Sequence, residues 1–278
     1  MSNKTVLITG CSSGFGRLAT KTFQKNGWNV IATMRSSEKE TELTQLKNVL
    51  VTTLDVTRQE TIDDAVAKGL DTFGSIDVLV NNAGFGGHAM FEQFTEDQIE
   101  SMFDTNVYGP MRVARAVLPH FRKQRSGCII NVTSMAGEIG LPCTTTYSAS
   151  KFAMQGWSEG LAMELVPFNI KVHTIAPGAF GTNFNEATNN NITAGDEELQ
   201  KQAQKVATHF VELAAQMQRL GGKDADPQDV ADIIYQCATQ PMPIHNAVGA
   251  DAAMLLDMKL SLPREEFLQK MQEMLLPN

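Results

Sequence analysis

Six short runs of apolar, largely β-branched residues recur through the first 176 positions, at residues 5–9, 29–33, 49–54, 76–80, 127–133 and 170–176. Each of the first five is followed by residues with helical spacing, through Leu18 and Phe23 and then over residues 36–46, 57–73, 95–103 with 112–123, and 147–165. Few architectures accept such an alternation. Parallel strands need a long crossover, a helix supplies it, and the crossover is right-handed. The predicted fold class is therefore α/β, a doubly wound parallel sheet with helices on both faces. The fifth and sixth runs are apolar almost throughout, as strands buried on two faces should be.

After Pro177 the alternation stops. Residues 183–226 are polar, yet Val206, Phe210, Leu213 and Met217 fall on one helical stripe. That stripe predicts either ordinary core packing or a helical lid inserted after the sixth strand. Pro227 suits a helix start, and Phe267, Met271 and Met274 mark an amphipathic tail helix within residues 263–278. With no repeat and no linker, residues 1–278 are expected to form a single domain.

Composition narrows the partners. A net charge of −8 argues against nucleic acid or an anionic membrane. The four cysteines, at 11, 128, 143 and 237, and the five histidines show no metal or redox spacing, so no metal is expected. No apolar run has transmembrane length and no leader pattern opens the sequence; a cytoplasmic protein with reduced thiols is the expectation.

The chemistry-bearing residues cluster where strands end. Tyr147 and Lys151 are four apart on a predicted helix, hence on one face. A free phenol titrates near 10, and a fixed ammonium beside it is expected to lower that value toward neutrality. Ser134 follows the fifth strand and could hold an oxygen before the tyrosine. Alone, Tyr-x-x-x-Lys is a common solvated helix face.

The turn Gly10-Cys11-Ser12-Ser13-Gly14-Phe15-Gly16 joins the first strand to the first helix, where glycines admit a phosphate to free backbone N–H groups. The same letters spell G-x-S-x-G, the nucleophile elbow of serine hydrolases with Ser12 at its centre. That reading is the weaker one, because only nine residues precede Gly10 and an elbow needs strands upstream. At the end of the second strand stand Met34 and Arg35, with no acid until Glu38. A carboxylate there would select NAD; Arg35 suits the 2′-phosphate of NADP. Asp55, the Asn81-Asn82-Ala83-Gly84 run, Asn106, and Pro177-Gly178 with Thr182 fall at the same predicted edge.

In this order and spacing, over residues 4 to 182, these motifs resemble the classical short-chain dehydrogenases/reductases, in their NADP-preferring branch. The resemblance implies a Rossmann-type sheet and NADP(H) as cofactor. It implies Asn106, Ser134, Tyr147 and Lys151 as the catalytic set. Cofactor contacts would come from Gly10, Ser12, Ser13, Phe15, Gly16, Arg35, Asp55, Val56, Asn82, Ala83, Gly84, Tyr147, Lys151, Pro177, Gly178 and Thr182. In that scheme Tyr147 donates a proton to a carbonyl oxygen steadied by Ser134, Lys151 lowers the phenol pKa and holds the nicotinamide ribose, and Asn106 supports a water relay to Lys151. A small-molecule carbonyl or alcohol substrate and a homodimer or homotetramer are further implications. Phe85, Phe91, Met135, Leu141, Phe184, Phe210 and Met217 are expected to line an apolar pocket. The alternative is a protein of this fold that senses NADP(H) without turnover.

Overall fold

The computed structural model describes residues 3–181, 196–220 and 225–276. Its centre is a seven-stranded sheet in the order β3-β2-β1-β4-β5-β6-β7, every neighbouring pair parallel. The strands are β1 (Thr5–Ile8), β2 (Asn29–Met34), β3 (Val49–Thr53), β4 (Val78–Asn81), β5 (Gly127–Val132), β6 (Ile170–Pro177) and β7 (His245–Val248). The helices are α1 (Gly14–Lys25), α2 (Gln59–Phe73), α3 (Glu96–Phe103), α4 (Gly109–Gln124), α5 (Thr145–Leu165), α6 (Glu197–Leu220), α7 (Pro227–Thr239), α8 (Ala250–Ser261) and α9 (Arg264–Leu275).

Strand periodicity explains why the apolar runs are continuous. Val6 and Ile8 join Val30, Val80 and Ile130 in one buried cluster with Phe23 of α1 and Val230 and Ile234 of α7. Leu7 points the other way and joins Ile31, Leu79 and Ile129 in a second cluster with Val66, Val117, Phe121 and Leu161 from α2, α4 and α5. Both faces of the sheet are thus covered.

Three expectations change. Residues 36–46 are two short 3₁₀ turns, Ser37–Lys39 and Leu43–Gln45, rather than a helix. The Glu40 carboxylate accepts the N–H groups of Glu42 and Leu43, which diverts the backbone from a helical ladder. The helix expected over residues 57–73 begins at Gln59 instead: the Thr57 N–H and hydroxyl both donate to Asp55 Oδ1, at 3.0 and 2.7 Å. The sequence reading also omitted β7 and α8. No helix among the described residues is long and apolar enough to cross a membrane.

Candidate active site

Strand order reverses at β1, so the carboxyl ends of β1 and β4 diverge into a crevice, the usual ligand position in such sheets. The glycine turn closes its floor. Gly10 and Gly14 have φ of +73° and +54°, a conformation that glycine adopts without strain. A Cβ on Gly16 would overlap the Gly10 carbonyl oxygen and lie 2.5 Å from Asn82 Nδ2. Ser13 caps α1 in position but makes no side-chain capping bond, which leaves its hydroxyl and the first-turn N–H groups for an anion. Ser12 is exposed and has no positive φ, so this is not the strained elbow of a hydrolase.

Asn82 is committed to structure. Its Nδ2 donates to the carbonyls of Thr9 and Gly10 at 2.9 and 3.0 Å, while Thr9 Oγ1 accepts from the N–H groups of Asn82 and Ala83. The crevice is therefore stitched shut beneath any ligand. Val56 is buried against Gly109, where a Cβ would come within 2.7 Å of its Cγ2. Phe15 packs edge-on against Phe180, with centroids 5.7 Å apart.

Asn106 sits in a π turn, Asp104–Tyr108, between α3 and α4. Its Oδ1 accepts from Phe85 N at 3.0 Å, and its Nδ2 donates to Phe85 O at 2.7 Å and Ser150 Oγ at 3.2 Å. The side chain thus anchors the loop beyond β4. Pro110, four residues on, has no N–H, so the Asn106 carbonyl makes no α-type bond to it.

At the end of β5, Ser134 caps a 3₁₀ turn, Met135–Gly137, by accepting the Ala136 N–H at 3.1 Å. It is also hydrogen-bonded to the Tyr147 phenol. Lys151 is buried one turn along α5, with Nζ donating to Val132 O at 3.0 Å and lying 5.6 Å from the centre of the tyrosine ring. The expectation that Lys151 lowers the Tyr147 pKa is not met in the free protein. Burial pushes the phenol up to about 12, opposed by the Ser134 hydrogen bond, and burial brings the Lys151 ammonium down to about 8. Desolvation is the larger influence on both groups.

Tyr147 is shared by two apolar clusters. One holds Met135, Ile139, Leu141, Leu255, Phe267 and Met271, with Phe210 and Leu213 of α6 packed on it. The other holds Ala89, Phe94 and Met102, with Phe85. Helices α6 and α9 thus meet over the tyrosine, and His209 Nε2 lies 2.8 Å from Met274 O between them. Phe91 is 63% exposed and lines nothing; Phe94 takes the buried place. Thr182 and Phe184, and the side chain of Met217, lie outside the described residues.

Arg35 is exposed at the end of β2, beside the end of β3 that leads into Asp55. Sequence reasoning missed the group next to it. Arg17 of α1 donates to Glu40 and Glu42 at 2.6 and 2.5 Å, and Lys21 pairs with Glu42 at 2.6 Å. Arg17 holds the Glu40 carboxyl down to about 2. A cation in the first turn of a helix opposes the helix dipole, and that was the available signal that Arg17 has partners.

The short chain dehydrogenase family profile matches residues 4–193. An uncharacterized oxidoreductase of Bacillus subtilis is 36% identical over 250 residues, 86% of each chain. A 3-ketodihydrosphingosine reductase of Bacteroides thetaiotaomicron is 38% identical over 198 residues, covering 71% of this chain and 72% of its own. A crystal structure of a short-chain dehydrogenase from Streptomyces avermitilis superposes with a TM-score of 0.83 at 34% identity, over 97% of this chain and 96% of the other.

Proposed function

The chain belongs to the short-chain dehydrogenases, and from that premise we propose that it is an NADPH-dependent carbonyl reductase for a hydrophobic ketone or aldehyde, reversible as an alcohol dehydrogenase. One observation carries this reading: the Tyr147 phenol, hydrogen-bonded to Ser134, lies in an apolar cluster with the buried Lys151 one turn along α5.

The glycine turn, with Ser12 and Ser13 at the start of α1, would hold the pyrophosphate. Asp55, Val56, Asn82, Ala83 and Gly84 would flank the adenosine side and the middle of the dinucleotide, and Pro177, Gly178 and Thr182 its nicotinamide end. Bound there, the reduced dinucleotide supplies the hydride, which no side chain can. Tyr147 donates its proton to the substrate oxygen as negative charge builds there, and Ser134 holds that oxygen in line. Lys151 supports the phenolate as it forms and would hold the nicotinamide ribose. Asn106, its side chain engaged by Phe85 and Ser150, would serve a water relay to Lys151 through its backbone carbonyl. Helix α6 acts as the substrate lid.

The cofactor choice is supported at the end of β2. Arg35 has no partner among the described residues, and Glu40 and Glu42 are already engaged by Arg17 and Lys21. The relative named for 3-ketodihydrosphingosine reduction supports a carbonyl substrate.

The test is the rate of NADPH and of NADH consumption against a panel of alkyl and aryl ketones of increasing length. Faster turnover with NADPH, rising with substrate apolarity, is expected. Turnover with NADH alone would keep the enzyme class and overturn the cofactor choice. Tight NADPH binding without turnover on any ketone would favour a sensor.

A further inference from the structure

Asp251 has no part in the chemistry above, yet its carboxyl group is built into the same edge. It stands in the first turn of α8 and is 1% exposed. Oδ2 accepts the N–H of Ala179 at 2.7 Å, across 72 residues of sequence. Oδ1 is buried with no hydrogen-bond partner among the described residues. An unpaired buried oxygen costs stability, so the group is kept for something other than its contribution to folding.

The surroundings are shaped to it. A Cβ on Gly178 would overlap Asp251 Oδ1, Cγ and Oδ2 together. Gly249 has φ +105°, and a Cβ there would come within 2.7 Å of Oδ1 and 3.4 Å of the Phe180 ring. The glycine at 178 is thus required by Asp251 whatever ligand lies above it. The remaining anchors complete a clamp on the loop after β6: Gly178 N donates to Val248 O at 2.8 Å, and Phe180 meets Phe15 of the phosphate turn. Of these anchors, only Asp251 reaches the loop through a side-chain hydrogen bond to its backbone.

We propose that Asp251 is the positioning residue for the nicotinamide end of the dinucleotide, acting through Gly178 and Ala179 without touching cofactor or substrate. The proposal rests on the dinucleotide reading of the site. Groups that hold a reacting ring must be fixed to a fraction of an ångström, and a loop end needs such an anchor.

Equilibrium titrations of wild type, Asp251→Ala and Asp251→Asn with NADPH, and separately with 2′,5′-ADP, test it. The second probe carries only the adenosine end. Asp251→Ala should weaken NADPH by about tenfold or more, while 2′,5′-ADP changes by less than about twofold. Asp251→Asn keeps an acceptor for the Ala179 N–H and should restore most of the NADPH affinity. Unchanged NADPH binding in Asp251→Ala would overturn the proposal, and so would an equal loss for both probes, which is the mark of general destabilisation. Should Asp251→Ala not fold, Asp251→Ser, too short to reach Ala179, takes its place under the same two titrations. If wild type prefers NADH, then NADH and ADP replace the two probes. Wild type that binds neither dinucleotide would overturn the functional reading itself.

Discussion

The two ends of the site are built by opposite means. The proposed phosphate end is backbone: Gly10, Gly14 and Gly16 set the turn, and Asn82 ties it to β4 through two carbonyls. The substrate end is side chain: Met135, Leu141, Phe210, Leu213, Phe267 and Met271 arrive from separate segments and meet around Tyr147. At the first end Gly10 and Gly16 have one solution, because a single Cβ collides. At the second, many apolar sets of similar volume would serve. A catalyst assembled this way can hold its cofactor end fixed while its substrate end varies.

The largest test of that division is Tyr147→Phe. It should lower kcat by roughly 10²–10⁴-fold and leave the dinucleotide Kd unchanged; near-normal turnover would remove the phenol from the acid role. Gly16→Ala should do the reverse. Overlap with the Gly10 carbonyl should cost about 1–3 kcal/mol and weaken the dinucleotide roughly 10- to 100-fold, while a bound fraction still turns over. Normal dinucleotide binding by the Gly16→Ala variant would break the claim that this end is rigid.

Lys151→Met probes stability given up for chemistry. Below about pH 8 the lysine is charged in folded and unfolded chains alike, and the folded chain bears the whole cost of burying it. Between about 8 and the ordinary value of 10.5 it is neutral when folded and charged when unfolded. The unfolded chain then binds more protons, so wild-type stability rises with pH across that window. Lys151→Met should therefore be inactive yet more stable at pH 7 by about 3 kcal/mol, with the gap closing above pH 8 in denaturant melts. A gap independent of pH would refute the assignment.

Arg35→Asp should lower the NADPH-to-NADH preference by about tenfold or more, the worth of one charge-assisted hydrogen bond; an unchanged ratio would show that Arg35 does not read the phosphate. Phe210→Ala should have the mildest effect. It should raise KM for a hydrophobic ketone roughly fivefold, about 1 kcal/mol, and leave NADPH binding alone. An equal change in both would mean that the two ends are coupled.

How much of this was legible follows the same division. Strands β1 to β6 could be read because burial on two faces makes most of their residues apolar. Strand β7 could not, since His245 and Ala247 are exposed and only Asn246 and Val248 are buried. The glycine turn, Ser134, Tyr147 and Lys151 carry their constraint in local spacing, and the structure places them at one edge. That Arg17 pairs with Glu40, and Asp251 with Ala179, could not be read, because each pair is made across distant segments. The phenol pKa was misjudged for a related reason: helical spacing reports the neighbouring cation, whereas desolvation depends on α6, α9 and everything else packed around the ring.

The strand order has a consequence for how such a molecule can be made. Read outward from β1, the sheet is laid down β2 then β3 on one side, and β4, β5, β6 and β7 in turn on the other. Each strand emerging from the ribosome joins an open edge, and none must be threaded between two already paired. Both strands beside the crevice between β1 and β4 are therefore present once Asn81 has been synthesised, long before α9 exists. Vectorial synthesis and strand topology together supply the strands beside the crevice first and the helices that pack around Tyr147 last.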